Sequence, residues 1–118
     1  MRKIRLARKL VYLLPFLLLW ACSTKENEDP TVRIATPMDE AVLVRGDSIP
    51  IKAIADDEDG SIREVTIYIG GEEVASSEQS TFIYYWNTAE YDPAEYVLGA
   101  LAYDNLGAYD SDNIDVLL

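Results

Sequence analysis

From Pro30 onward the apolar residues of this chain fall at alternate positions, and that regularity restricts its fold more than any other feature. A period of two places successive side chains on opposite faces of an extended strand, whereas an amphipathic helix needs a period of about 3.6. Val32 and Ile34 alternate with polar neighbours before Pro37. Ala41–Val44 is a short apolar stretch closed by Arg45-Gly46-Asp47. Ile49, Ile51, Ala53 and Ala55 alternate again, as do Val65, Ile67 and Ile69, with Glu64, Thr66 and Tyr68 on the opposite face. Gly70-Gly71 supplies the positive φ that a two-residue hairpin requires, and a return strand follows from about Glu72 to Ser77. Phe82, Tyr84 and Trp86 form the next alternating set, then Tyr96, Leu98, Ala100 and Ala102. Asp104-Asn105-Leu106-Gly107 marks a second tight turn before a last strand from about Ala108 to Val116. Turns recur about every ten residues, which predicts seven or eight short strands in an all-β antiparallel sandwich or barrel.

The first thirty residues follow different rules. Arg2, Lys3, Arg5, Arg8 and Lys9 make a basic start with no acid, and Leu10–Trp20 is apolar and contains Pro15. A membrane-spanning helix needs roughly twenty apolar residues, so this run is too short to span and fits the centre of a secretory signal. Leu19-Trp20-Ala21-Cys22 resembles the bacterial lipobox. That resemblance implies cleavage before Cys22, a diacylglycerol on its thiol and acylation of the new amine, palmitate being one such chain. Two or three acyl chains give stable anchoring where one is marginal. Residues 1–21 therefore read as a lipoprotein signal peptide. Residues 22–29 read as the lipidated Cys22 and a short acidic tether too polar to pack. The acidic run after Cys22 is similar to the surface-export signal of Bacteroidetes lipoproteins, which implies the outer membrane with the domain at the cell surface; a plain spacer facing the periplasm is the alternative.

After removal of residues 1–21 the chain keeps 5 basic and all 21 acidic residues, a net charge of −16. Such a surface repels phosphate backbones and excludes nucleic acid as a partner. With no His and a single Cys, the chain has no inventory for a zinc site, for His-based acid–base catalysis or for an internal disulfide.

Five segments carry a family resemblance over residues 30–118. They are P-T-V-x-I-x-x-P from Pro30, I-x-A-x-A-D-D-x-D-G-S-I from Ile51 and V-x-I-Y-I-G-G from Val65. Y-x-W-N-T from Tyr84 and E-Y-x-L-x-A-x-A-Y-D-N-x-G from Glu95 complete the set. Their order is similar to that of the bacterial immunoglobulin-like (Big-type) domains of secreted polysaccharidases and surface proteins. The resemblance implies an immunoglobulin-like sandwich of about seven strands acting as spacer, linker or adhesive module. Trp86, the sole Trp beyond residue 21, is expected at the centre of the core. Tyr96, at the start of its strand, resembles a tyrosine corner, whose hydroxyl bonds to upstream backbone.

Candidate sites are few. Asp56-Asp57-Glu58-Asp59-Gly60, the Asp104 turn and the start of the first strand should share one end of such a sandwich. Asp57, Asp59 and Asp104 are therefore the expected ligands of a calcium ion, which takes six to eight oxygens. The competing reading is that Asp, Asn and Gly serve only turn geometry. Placing Gly60 at the glycine of an EF-hand loop puts Ala55 and Thr66 at its first and last ligand positions, so this is not an EF-hand. Tyr68, Tyr85 and Tyr103 are expected on the surface, as a patch for a protein or glycan or simply as strand residues. No nucleophile elbow, phosphate loop or dinucleotide fingerprint occurs, so no enzyme and no other cofactor is expected. The expectation is a lipid-anchored, non-catalytic binding or spacer module. The alternative is a carbohydrate-binding component or the N-terminal accessory piece of a polysaccharide-degrading enzyme.

Overall fold

The computed structural model describes residues 26–118, so the leader and Cys22 lie outside the described residues. Eight strands follow in order: β1 (Thr31–Thr36), β2 (Ala41–Val42), β3 (Ser48–Asp56), β4 (Ile62–Ile69), β5 (Glu72–Ser77), β6 (Thr81–Asn87), β7 (Glu95–Asp104) and β8 (Tyr109–Leu117). They build two packed sheets, one of three strands in the order β1-β3-β6 and one of five in the order β2-β8-β7-β4-β5. All pairings are antiparallel except that of β2 with β8. The predicted all-β immunoglobulin-like sandwich is thus what the chain forms.

The alternation explains which face each strand buries. Ile51, Ala53 and Ala55 of β3, Val65, Ile67 and Ile69 of β4, and Leu98, Ala100 and Ala102 of β7 all point into the core. Trp86 at the end of β6 is 0 % exposed and fills the space between the sheets, as expected. Its ring meets Tyr91 and Tyr96 edge-on, with centroids 5.2 and 5.6 Å away, and those two tyrosines meet each other at 5.6 Å. Tyr96 donates its hydroxyl to the Asp92 carbonyl at 2.6 Å, which is the tyrosine corner the sequence suggested. Edge-to-face aromatic pairs contribute about 0.5–1.5 kcal/mol each beyond area burial. They join β6 to β7 across the sandwich without a disulfide.

Two local features depart from the alternation. Only Ala41 and Val42 of the Ala41–Val44 stretch form strand, and Val42 and Val44 are 76 % and 67 % exposed. This short β2 lies alongside the end of β8, with Ala41 opposite Val116 and Val42 opposite Leu117, so its backbone pairing rather than its side chains places it. Between β6 and β7 the chain makes a 3-10 turn at Thr88–Glu90. Asn87 caps it by accepting from the Ala89 amide at 3.2 Å, and the buried Thr88 hydroxyl donates to the Asp47 carbonyl at 2.7 Å while accepting from the Gly46 amide at 2.8 Å. Arg45 donates to the carbonyls of Tyr91 and Ala89. The Arg45–Asp47 loop is thereby fixed beneath the aromatic cluster.

The seam between β1 and β8 is closed by side chains. The Val32 and Ile34 amides each donate over 2.9 Å to a carboxylate of β8, Val32 to Asp110 and Ile34 to Asp112. Asp110, Asp112, Ile114 and Val116 share the inward-facing parity of β8, so two of its inward positions are acceptors rather than apolar plugs.

Candidate functional site

The acidic end of the sandwich brings together the three segments expected there. The Asn105 amide donates to the Ser61 carbonyl at 3.0 Å, and the Asn105 side chain accepts from the Ser61 amide at 3.2 Å, tying the β7–β8 turn to the β3–β4 loop. The tether joins them: the Asn27 carboxamide donates to Asp104 at 2.8 Å, and the Glu28 amide donates to Asp59 at 2.7 Å. A Cβ on Gly60 would fall 2.5 Å from Asn105 Oδ1 and 2.8 Å from Asp57 Oδ2, so glycine is what lets the two loops meet.

The three aspartates have different environments. Asp104 is fully enclosed; one oxygen accepts from the Leu106 and Ala108 amides at 2.8 and 2.9 Å, and the other from Asn27. The Asn27 carboxamide first, and the turn amides with it, hold its pKa below the ordinary 3.8 against the opposing effect of burial. Asp57 is the reverse case. Both its carboxylate oxygens are shielded from water and lack a well-formed hydrogen bond. Desolvation raises its pKa above 3.8, the adjacent Asp59 side chain raises it further, and the Asp104 charge adds to this while the Asp59 backbone opposes it. Asp59 binds the tether. Among the described residues no three acidic side chains converge closely enough, as they stand, to hold a metal ion.

The surface tyrosines do not form one patch. Tyr85 is 64 % exposed on the outer face of the three-stranded sheet, opposite Pro50 of β3. Tyr68 and Tyr103 lie on the outer face of the five-stranded sheet and are half-buried. Arg63 covers the Tyr103 ring at 5.4 Å, and Tyr109 lies beside it with centroids 5.8 Å apart. A hollow of about 340 Å³ opens on this face, lined by Tyr68, Val97, Gly99, Leu101, Ser111 and Asn113 among others. Nothing in the alternation marks it, except that Gly99 interrupts the outward-facing side chains of a central strand.

A family model described as a bacterial Ig domain matches residues 30–100. Among solved structures, the fibronectin(III)-like modules of Clostridium thermocellum CbhA superpose with a TM-score of 0.69 at 25 % identity, covering 80 % of this chain and 48 % of that one. A Cellulomonas fimi endo-beta-1,4-mannanase double mutant superposes at 0.52 with 18 % identity, over 77 % of this chain and 19 % of that one. The PKD1 domain of Vibrio anguillarum Epp does so at 0.50 with 17 % identity, over 79 % of this chain and 96 % of that domain. The last two likenesses concern the fold alone. The chain spans about half the length of the CbhA structure. No curated protein matches it.

Proposed function

Because the chain belongs to the bacterial Ig domain family, we propose that it is a non-catalytic binding or spacer module held to the outer membrane by acyl chains on Cys22, with residues 1–21 removed as a signal peptide and residues 30–118 displayed at the cell surface. The family match over residues 30–100 supports the module, the Leu19-Trp20-Ala21-Cys22 resemblance supports the anchor, and the docked tether limits its reach. Asn27 and Glu28 are already bound to the sandwich through Asp104 and Asp59. Only residues 22–26 are then left to reach the bilayer, and five extended residues span at most about 17 Å. Such a module stands close to the membrane with its acidic end toward the headgroups and its sheet faces turned sideways, available to a protein or glycan.

Intact-mass spectrometry tests the anchor. Wild-type protein should start at Cys22 and carry fatty acid, and Cys22→Ala should lose both the acyl mass and detergent partitioning. A mature species that retains residues 1–21 without fatty acid removes the reading. Protease treatment of intact cells tests the address: surface display predicts digestion, whereas a periplasmic domain stays protected until the outer membrane is opened.

The accessory-module alternative is supported by the likeness to the fibronectin(III)-like modules of CbhA. A hydrolase domain encoded in the same reading frame beyond Leu118 would favour it. The calcium expectation rests on Asp57, whose shielded oxygens form no well-aligned hydrogen bond; the Asp104 oxygens are already engaged by amides. Bound calcium at 100 times its Kd would add about 2.7 kcal/mol of stability, so a melting temperature unchanged between millimolar calcium and chelator removes it.

A further inference from the structure

Tyr68, Gly99 and Asn113 stand directly opposite one another on β4, β7 and β8, at the middle of the outer face of the five-stranded sheet. Glycine inside a central strand gives up side-chain packing and conformational entropy, and close approach of a ligand is one physical reason to accept that. A Cβ on Gly99 would stand 2.7 Å from Asn113 Oδ1 and 3.6 Å from Tyr68 Cβ, so even a methyl group would intrude between them. The Asn113 carboxamide lies over Gly99 where a Cβ would stand, and both line the hollow of about 340 Å³, within the range of roughly 300–1,000 Å³ usual for small-ligand sites.

The lining of the hollow selects its ligand. None of the side chains around it is charged, in a chain with 21 acidic residues. A cation would find no ligand there, and the surrounding charge of −16 repels anions. The hydroxyls of Tyr68 and Ser111 and the carboxamide of Asn113 make no hydrogen bond to another described residue, so all three are unspent. Burial first, and the Glu73 and Glu64 carboxylates with it, push the Tyr68 hydroxyl up in pKa. Beyond this row come Thr66, Leu101 and Ser111, then Glu64, Tyr103 and Tyr109, each set in register across the same three strands. The outer two rows are four residues apart, about 13 Å at roughly 3.3 Å per residue.

We propose that this strip binds a neutral polysaccharide chain, with one sugar ring seated against Tyr68 over Gly99, its hydroxyls meeting Asn113 and Ser111, and the chain running toward Tyr109. A hollow whose lining side chains are uncharged, flanked by Glu73 opposite Tyr68 and Glu64 opposite Tyr103 as further acceptors for hydroxyls, suits a ring that has an apolar C–H face and a hydroxylated rim. The proposal rests on the binding-module reading and is independent of the lipid anchor.

The test is native affinity electrophoresis of the full-length protein in detergent, in gels containing soluble galactomannan, xyloglucan or mixed-linkage β-glucan, with polygalacturonate as the anionic control. At least one neutral glycan should retard the wild type and polygalacturonate should not. Tyr68→Ala should weaken binding at least tenfold at an unchanged circular dichroism spectrum. Asn113→Ala, a milder change, should do the same if Tyr68→Ala fails to fold. Absence of retardation by all three neutral glycans overturns the proposal, as does undiminished binding by the folded variants. Self-association abolished by Tyr68→Ala would assign the face to a second copy and overturn it as well. A protein that is acylated at Cys22 and unretarded loses the glycan site while keeping its anchored-module reading.

Discussion

Strand β1 borders the three-stranded sheet, and the amides it turns away from β3 meet no backbone ladder. Asp110 and Asp112 meet them instead, each over 2.9 Å. Replacing both with Ala leaves the Val32 and Ile34 amides without acceptors in a part-buried seam. A hydrogen bond to a charged group contributes about 1.5–3 kcal/mol, so the pair is worth roughly 3–6 before correction. Two corrections reduce this. The sites lie two residues apart and are coupled, and removing two charges relieves repulsion in a domain of net charge −16. A net loss of about 2–4 kcal/mol remains, a large part of the roughly 5–15 that holds a domain of this size. At roughly 4–8 °C per kcal/mol, Asp110→Ala/Asp112→Ala should melt about 8–32 °C below wild type at pH 7. The double Asn variant keeps an acceptor oxygen at each site and should recover about half of that loss. Circular dichroism melting gives the magnitude, and amide hydrogen exchange gives the location: Val32 and Ile34 should lose protection while β7 retains it. A fall of under about 3 °C with both amides still protected would show that the carboxylates do not close the seam.

Further outcomes rest on the same geometry. Trp86→Ala should cost about 3–5 kcal/mol and shift the urea midpoint to the edge of foldedness. Trp86→Phe should cost less, since it also removes an indole N–H that has no acceptor among the described residues. Tyr96→Phe should lose about 0.5–1.5 kcal/mol with the bond to the Asp92 carbonyl, read as a small fall in melting temperature. Asn27→Ala should leave the sandwich folded but speed proteolysis across residues 23–28, because the tether loses its hold on Asp104; an unchanged cleavage rate would contradict the docked tether. In chelator, Asp57→Asn should raise the melting temperature at pH 7. Its raised folded-state pKa means that Asp57 favours the fold only while protonated, a contribution complete below 3.8 and lost as pH rises. Asp104 has the opposite sign. Its lowered pKa gives stability complete above 3.8 and lost as pH falls through the folded value, so Asp104→Asn should flatten the acid limb of the melting curve.

The sandwich was legible because the inward-facing sets of β3, β4 and β7 are apolar at every second position, and burial of that face leaves one register open. Strand order then fixes which turns share an end, so the meeting of the β3–β4 loop, the Asp104 turn and the tether could be anticipated. What those residues do there could not. Asp57 and Asp104 belong to similar polar runs, yet one forms no well-aligned hydrogen bond and the other accepts three, a difference set by a few ångströms of loop placement. The Ala41–Val44 stretch looked like a strand because it is apolar, but its side chains are largely exposed and a parallel ladder of two residue pairs defines it. Tyr68 and Tyr85 were separated only when β4 and β6 went to different sheets, an assignment no local pattern carries. The capping signal at Asn87-Thr88 was present and too short to stand out.

The acidity of the chain has two origins. Read as composition, a charge of −16 speaks of solubility and of partners excluded. In the fold, five of the acids are acceptors for backbone amides at places where no strand or turn supplies a carbonyl: Asp110 and Asp112 along the seam, Asp104 within its turn, Asp59 on the tether, and Asp39 on the Asp115 amide at 2.9 Å. All five are Asp, whose short side chain loses less rotamer freedom than Glu when it is fixed. A small domain without a disulfide can thus close its edges with charge-assisted hydrogen bonds; Asp57, shielded from water beside Asp59, is not among them. The outer sheet face around Gly99 keeps charged side chains out of its hollow altogether. Acids thus flank the hollow, Glu73 opposite Tyr68 and Glu64 opposite Tyr103, without lining it, and that contrast is what the glycan-binding assay probes.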